Sequence, residues 1–309
     1  MTKLQFGKHS VSFDKEDKVF YPAHGGEDAV TKSDVIHYYK DIAEVMVPHA
    51  GSRPLTLRRF PDGIETKGFY MQEAQDYFPD WIERVPAKRS DGSTIRHAVA
   101  NGAADLAYLA SLGTLEFHTW LSRIDDIRKP DWLVFDLDPP GDTVEAFDVV
   151  RQGALDIRDL LDELGLAPFV KLTGSKGLHV LAPIRPEEDF DEVRAFAHDA
   201  AELLAARKPD DYTTQQRKEK RKGRLYLDVI RNAYAQHAVA PYSLRPLPGA
   251  PVAAPLDWDE VEDPSLIPRA VTIHSVFRRL GQKDDPWKTL ARHRRGLDKA
   301  RVKLEAKLP

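Results

Sequence analysis

The 309-residue sequence contains no cysteine. This excludes disulfides, a thiol nucleophile and cysteine-ligated zinc, and it fits a reducing cytoplasm. A long apolar run is also missing. The longest stretch free of Asp, Glu, Lys and Arg is Asn232–Leu244, which contains Asn, Gln, His and Pro and falls short of the ~20 apolar residues of a membrane span. The opening MTKLQFGKHS lacks the apolar core of a secretory signal. The expected setting is the cytoplasm, with no membrane partner. Internal repeats and low-complexity tracts are absent as well. What is present is 42% apolar and 30% charged residues, a balance that supports a packed core. The length fits one large domain or two modest modules.

The net charge of −4 hides an asymmetry. Arg278–Pro309 holds eleven Lys/Arg against four Asp/Glu, a balance of +7, which leaves −11 on residues 1–277. A second basic cluster, RKEKRKGR, spans Arg217–Arg224. Such patches mark either polyanion binding or solvated faces.

The clearest pattern lies between Trp132 and Ile230. WLVFDLD reads as a strand ending in a Pro-Pro-Gly turn. Asp142 and Glu145 have the spacing of a capping box. Phe147, Val150, Ile157, Leu160, Leu161 and Leu164 recur at helical spacing before Gly165. APFVKLT is a second strand, TGSKG a tight turn and LHVLAPI a third strand; Phe190–Leu204 is a helix and RLYLDVI a fourth strand. This order is the split β-α-β-β-α-β arrangement of ferredoxin-like and RNA-recognition folds. Its first strand is central, flanked by the third and fourth. Upstream, residues 33–49 read as a helix entered from Ser33, and residues 101–112 as another, followed by the strand TLEFHTW. The expected class is α/β (α+β), with an N-terminal mixed module over residues 1–125, a catalytic module over 126–245, and a Pro-rich loop (Pro246–Trp258) with a basic, helical segment over 246–309.

Successive strand residues face opposite sides of a sheet. Asp136 and Asp138 therefore share a face, opposite Leu133, Phe135 and Leu137. Asp228 and His179 fall on that same face if the apolar residues of their strands turn toward the helices. Clustered carboxylates repel one another, and divalent cations resolve the repulsion. Oxygen ligands without thiols suit Mg²⁺ or Mn²⁺, and two such ions can clamp the oxygens of a phosphoryl transfer. The turn Thr173–His179 adds backbone N–H groups, the hydroxyls of Thr173 and Ser175, and Lys176, all suited to a triphosphate. Taken singly, each feature has a plainer reading: strand-end capping or a salt bridge for D-x-D, a satisfied sheet histidine for His179, a simple turn for G-S-K-G.

The sequence resembles the polymerase domain of bacterial ligase D, a branch of the archaeo-eukaryotic primase superfamily. The resemblance runs through DKVFYP (Asp17–Pro22), TKSD (Thr31–Asp34), RRFPDG (Arg58–Gly63), GFY (Gly68–Tyr70), LEFH (Leu115–His118), VFDLDP (Val134–Pro139), TGSKGLH (Thr173–His179), KRKGRLYLD (Lys220–Asp228), APYSLR (Ala240–Arg245) and PLDWDE (Pro255–Glu260). It implies a single primase-polymerase domain over residues 1–309. Asp136, Asp138 and Asp228 match the metal-binding catalytic triad. Ser175 and His179 match positions beside the incoming nucleotide, and Lys176 and Arg245 match positions around its triphosphate. Thr173 stands where relatives often carry Ser near the sugar. Arg58 and His118 match further nucleotide-pocket positions, Phe69 an aromatic that stacks on a base, and Lys18 and Lys32 a pair that recognises a downstream 5′-phosphate. Phe69 and Tyr70 are otherwise expected to include at least one core residue, and Lys18 and Lys32 to be solvated lysines.

By the same resemblance, the chain is expected to be a template-directed nucleotidyltransferase that fills gaps and extends broken ends during non-homologous end joining. It would use two Mn²⁺ (or Mg²⁺) ions and prefer ribonucleotides over deoxynucleotides. Expected partners are DNA with gaps, overhangs or double-strand breaks, NTP or dNTP, a separate DNA ligase and the Ku end-binding protein, in a nucleoid-associated setting. The sequence departs from the family at Met71-Gln72-Glu73, where relatives carry a lysine. It ends at Pro309 with no ligase or phosphoesterase module, which is expected of a stand-alone polymerase or an excised domain. Two other readings compete: a non-catalytic DNA-end-binding scaffold and a haloacid-dehalogenase-type phosphatase. The second leaves Asp228 without a role.

Overall fold

WLVFDLD forms a strand, Trp132–Asp138, whose apolar residues are buried. The computed structural model describes residues 1–309 other than Ser90, Pro140, Asp142, Thr143 and Pro309, and it leaves out the side chains of Val144 and Glu145. The capping box expected of Asp142 and Glu145 lies outside the described residues. The chain divides into two units. The first comprises Met1–Trp120, His237–Ala254 and Val271–Asp284; the second comprises Leu121–Gln236, Pro255–Ala270 and Asp285–Pro309.

The second unit is built on a six-stranded sheet. Its order is Tyr212–Thr213, Leu225–Asp228, Trp132–Asp138, Leu178–Pro183, Phe169–Leu172 and Pro255–Leu256. Trp132–Asp138 is flanked by Leu178–Pro183 and Leu225–Asp228, both antiparallel, as the split arrangement requires. Helices Val144–Leu164 and Phe190–Arg207 pack on the apolar residues of these strands. Their buried stripes (Phe147, Val150, Ile157, Leu161; Val193, Phe196, Ala200) follow the helical period read from the sequence. Asp189 caps the second of these helices and is answered by Glu192. Gly165, at φ +85°, closes the first.

Three expectations are corrected from Leu225 onward. The fourth strand stops at Asp228, and Ile230–Asn232 is a 3₁₀ turn, because the Asp228 carboxylate accepts the Ile230 N–H at 2.8 Å and bends the chain. The stretch Pro246–Trp258 is not wholly loop: Pro255–Leu256 pairs with Val170 and Lys171 as an edge strand. The basic C-terminal segment is only partly helical, over Val276–Gln282 in the first unit and Asp298–Glu305 in the second. Several of its charges tie the segment down. Arg294 pairs with Asp131 at 2.7 Å, Lys307 with Glu163 at 2.5 Å, and Arg301 with Glu188. Trp287 is fully buried and donates to the Val170 carbonyl at 3.0 Å.

The first unit carries a four-stranded sheet, in the order His237–Val239, Thr114–Trp120, Leu55–Arg59, Phe69–Met71. Helices Lys32–Asp41, Ala43–Ala50 and Ala103–Ser111 accompany it. The helix expected over residues 33–49 is thus two, broken at Ile42, and it starts one residue earlier than expected. Its N-cap is Thr31, whose hydroxyl accepts from the Asp34 N–H while the Asp34 carboxylate returns to the Thr31 N–H. Among the described residues no helix is long and apolar enough to cross a membrane.

Candidate active site

In the second unit the strand register brings the expected carboxylates into one row. Asp136 lies directly opposite His179 on one neighbour and opposite Asp228 on the other. Asp138, two residues on, lies opposite Tyr226. The row extends one strand further, since His179 lies opposite Lys171. Asp136, His179 and Lys171 are buried, Asp228 is half-buried and Asp138 is exposed. The face is therefore not open to solvent along its length; it grades from a buried cationic end to an exposed acidic one.

Asp136 has two close partners. His179 Nε2 stands 3.2 Å from one carboxylate oxygen, and Arg231 Nε donates to the other at 3.1 Å. Burial alone would raise the Asp136 pKa; His179 and Arg231 outweigh it and hold the group well below the usual carboxylate range. His179 itself is pushed down to about 4, by burial first and by the Lys171 charge second. His179, ahead of Arg231, is the neighbour that holds Asp136 down. Asp228 moves the other way. Burial, then the neighbouring Asp136 charge, raise its pKa against the hydrogen bond from Ile230. Arg231 and Lys171 were not anticipated from sequence. Arg231 follows Asp228 by three residues on the 3₁₀ turn, and the alternation of FVKLT places Lys171 on the His179 face, which was the available signal.

The turn Thr173–His179 abuts this row. A Cβ on Gly177 would lie 1.9 Å from the Leu137 carbonyl oxygen, so only glycine lets the turn approach the strand between Asp136 and Asp138. Thr173 organises the turn. Its hydroxyl lies 3.3 Å from the Ser175 N–H nitrogen and 3.2 Å from that of Gly177, and its own N–H donates to the Gly177 carbonyl at 2.9 Å. Two of the backbone N–H groups expected to cradle a phosphate thus point inward, to Thr173. Lys176 is exposed at the tip, and Arg269 donates to the Ser175 carbonyl at 3.2 Å, adding a second cation beside it. The basic cluster Arg217–Arg224 forms a short helix and an exposed turn. Arg221 lies 4.2 Å over the Tyr226 ring and donates to the Gln216 carbonyl at 2.8 Å.

In the first unit Arg58, His118 and Arg245 come together around a residue not anticipated, Glu116. Its carboxylate is buried. Arg58 Nη1 stands at 3.2 Å, His118 Nε2 at 3.1 Å and Arg245 Nε at 2.9 Å. Burial would raise the Glu116 pKa; His118, Arg245 and Arg58 together bring it down to about 2. Arg245 reaches the cluster because APYSLR threads the core. The Ala240 N–H donates to the Phe117 carbonyl, the Phe117 N–H to the Ser243 hydroxyl, and the Leu244 N–H to the Tyr39 hydroxyl, at 2.8–2.9 Å.

Phe69 does not join this cluster. The ladder sets Phe69 beside Arg59 and Tyr70 beside Arg58, and the two rings lie 5.4 and 5.3 Å from those guanidiniums. The ring near His118 and His237 is Tyr70, at 6.0 and 6.3 Å. Neither Phe69 (47% exposed) nor Tyr70 (56%) is a core residue, because Phe69–Met71 is the sheet's edge strand.

Lys18 and Lys32 are brought together. Val19 pairs with Thr31, and the Lys32 N–H donates to the Lys18 carbonyl at 2.8 Å. Neither ammonium is simply solvated. Lys18 pairs with Asp62 and Lys32 with Asp14 at 3.4 Å, and each lysine lowers its partner's pKa.

Among the described residues, the group of three acidic side chains whose ligand atoms lie within 4.8 Å of one another is Asp257, Asp259 and Glu260. These residues are partly or fully exposed at the start of the helix Trp258–Glu262; Asp257 and Glu260 form its capping box, and the Asp259 carboxylate accepts the Glu260 N–H at 2.9 Å. They account for each other without a ligand.

Comparison with known proteins agrees with this architecture. Residues 31–287 match the family model described as "LigD, primase-polymerase domain". The chain is 34% identical over 277 residues to the multifunctional non-homologous end joining protein LigD of Mycolicibacterium smegmatis, covering 89% of this chain and 35% of that protein. It is 32% identical over 278 residues to the bifunctional non-homologous end joining protein LigD of Bacillus subtilis, covering 90% and 43%. The chain therefore spans well under half the length of these relatives. Among solved structures, the polymerase domain from Mycobacterium tuberculosis ligase D in complex with DNA aligns with a TM-score of 0.82 at 32% identity, covering 91% of this chain and 98% of that one. With the family model matching most of the sequence and the fold matching over 91% of the chain, the chain belongs to the LigD primase-polymerase domain family.

Proposed function

We propose that this chain is a template-directed nucleotidyltransferase that fills short gaps and extends broken DNA ends before ligation. The observation that carries the reading is the register placing Asp136 opposite Asp228, with Asp138 two residues along the same strand. An all-oxygen donor set of this kind fits a hard divalent cation, Mn²⁺ or Mg²⁺, singly or as a pair. Such ions supply charge neutralisation at the phosphoryl group being transferred. The chain's own residues do the rest. His179 and Arg231 keep Asp136 ionised although it is buried. Lys176 is exposed at the turn tip for a polyphosphate, and Arg58, His118 and Arg245 are the first unit's nucleotide-recognising groups. In the reaction, a primer 3′-hydroxyl attacks the nucleotide α-phosphate and pyrophosphate leaves.

DNA as a partner is supported by the DNA complex of the aligned polymerase domain, and end joining by the names of the relatives. A ligase, a Ku-type end-binding protein, a preference for ribonucleotides, recognition of a downstream 5′-phosphate through Lys18 and Lys32, and a nucleoid-associated location complete the reading. The test is nucleotide incorporation on a gapped duplex, with and without a 5′-phosphate, in Mn²⁺ and in Mg²⁺, with ribo- and deoxynucleotides. Template-dependent addition supports the proposal. Binding without addition in either metal would identify a scaffold instead.

A further inference from the structure

Glu116 is the hub of the first unit's cluster. Its side chain is 1% exposed, and it is reached from three separate segments: Arg58 on Leu55–Arg59, His118 on its own strand, and Arg245 at the end of the Ala240–Arg245 loop. Cross-strand pairing puts Arg58 directly opposite it. Arg58 and Arg245 keep 33% and 16% of their side chains exposed. A guanidinium carries five N–H donors in a planar fork suited to phosphate oxygens, and each arginine meets Glu116 through one nitrogen, Nη1 of Arg58 and Nε of Arg245. Two arginines around one carboxylate leave a net positive cluster even with His118 neutral. The arrangement has a buried anchor and a cationic rim.

We propose that Glu116 is a positioning residue, and that its negative charge holds Arg58, His118 and Arg245 as a preassembled anion-recognition set for the nucleotide. The proposal rests on the nucleotidyltransferase reading above and deepens it. Groups fixed before a ligand arrives lose less freedom on binding it. Removing the charge should therefore weaken nucleotide recognition even though it makes the cluster more positive. A carboxylate that only neutralised buried arginines would act on folding and leave recognition untouched.

The experiment is a nucleotide titration on a gapped duplex with the full chain, comparing Glu116→Gln, Glu116→Asp and the unmutated protein. Glu116→Gln conserves size and one acceptor oxygen but loses the charge. It is expected to raise KM for nucleotide about tenfold, the scale of one lost charge-assisted contact, with kcat within about threefold and DNA affinity unchanged. Glu116→Asp keeps the charge and should stay nearer the unmutated KM. Combined with Arg245→Ala, Glu116→Gln should add less than its separate effect, since one arm it positions is gone. An unchanged KM in folded Glu116→Gln protein would overturn the proposal. So would equal KM increases in Glu116→Gln and Glu116→Asp, or a loss confined to thermal stability and active fraction. Failure of the unmutated protein to add nucleotide would instead overturn the function on which it rests.

Discussion

Asp136 and Glu116 are both carboxylates buried in strands, each within reach of a histidine and at least one arginine, yet their surroundings differ in sign. Asp136 stands in line with Asp228, with Asp138 at the strand end, and Arg231 is the cation paired with it. Glu116 has Arg58, Arg245 and His118 as close partners. Both groups stay ionised against the cost of burial. What surrounds them then decides what each region accepts: the second unit's row carries surplus negative charge and suits cations, while the first unit's cluster carries surplus positive charge and suits phosphates. Identical side-chain chemistry thus sits in surroundings of opposite charge, set by which neighbours the fold supplies.

The largest expected effect falls on the acidic region. Asp138→Ala should reduce nucleotide addition by at least ~10³-fold while DNA binding stays within a few-fold, because the exposed end of the row loses a ligand. Asp136→Ala and Asp228→Ala should match it without adding to it, since the three act as one unit. Primer-extension rates and a DNA-binding isotherm measure both, and full activity in any of these variants contradicts the assignment. On the cationic side, Arg245→Ala should raise KM for nucleotide by roughly 10–100-fold through loss of a forked phosphate contact. A steady-state titration distinguishes this from simple instability, which would leave KM in place.

A smaller difference is expected at Lys18 and Lys32. Gapped DNA with a 5′-phosphate should bind more tightly than the 5′-hydroxyl form by about 1–3 kcal/mol at low salt, and the gap should narrow as salt rises. Replacing both lysines with Ala should erase the preference. Because Asp62 and Asp14 already occupy these ammonium groups, Asp62→Asn should widen it. Equal affinities for the two ends in the unmutated protein would show two ordinary ion pairs.

The last expected effect is read in acid stability rather than in activity or binding. Glu116 has a folded pKa of about 2 against an ordinary 4.5. A depressed carboxylate stabilises the fold above its unfolded pKa and loses that contribution as pH falls through the folded one. The window is therefore pH 4.5 down to about 2, and the loss is roughly 3 kcal/mol at about 1.4 kcal/mol per unit. Urea unfolding at several pH values should show a steeper acid loss in the unmutated protein than in Glu116→Gln.

Much of the second unit was legible in the sequence because both of its signals are periodic. The D-x-D alternation fixes a face, and the helical stripes of Phe147–Leu164 and Phe190–Leu204 fix what covers the other. The register Asp136–His179–Asp228 follows from those two facts and the strand order. What escaped has local causes. Lys171 sits in FVKLT as if on an exposed edge, but Pro255–Leu256 pairs alongside it, a contact 84 residues away in sequence. The bend after Asp228 comes from its own carboxylate capping a turn, which strand alternation does not register. Thr31 rather than Ser33 begins the helix because Asp34 can return to it, a reciprocal pair that Ser33 lacks. Phe69 and Tyr70 differ by one position, and in a strand that is the difference between two faces; sequence similarity marks the aromatic pair without showing which ring accompanies His118. Glu116 lay within a recognised peptide, LEFH, but nothing local shows that Arg245, far along the chain, comes to meet it.

The interleaving of the two units bears on how the protein is made. During synthesis the N-terminal strands and helices of the first unit emerge early, yet the loop that supplies Ser243 to the Phe117 N–H and Arg245 to Glu116 leaves the ribosome only after most of the second unit has been translated. The second unit waits in turn for Pro255–Leu256 and Trp287 to close its sheet edge. Each unit therefore spends part of its synthesis as an unfinished half, with Glu116 still awaiting one of its two arginines. At about 5–20 residues per second, that interval lasts on the order of ten seconds, and the nascent chain is then exposed to chaperones and proteases in a way that a chain of two consecutive domains would avoid.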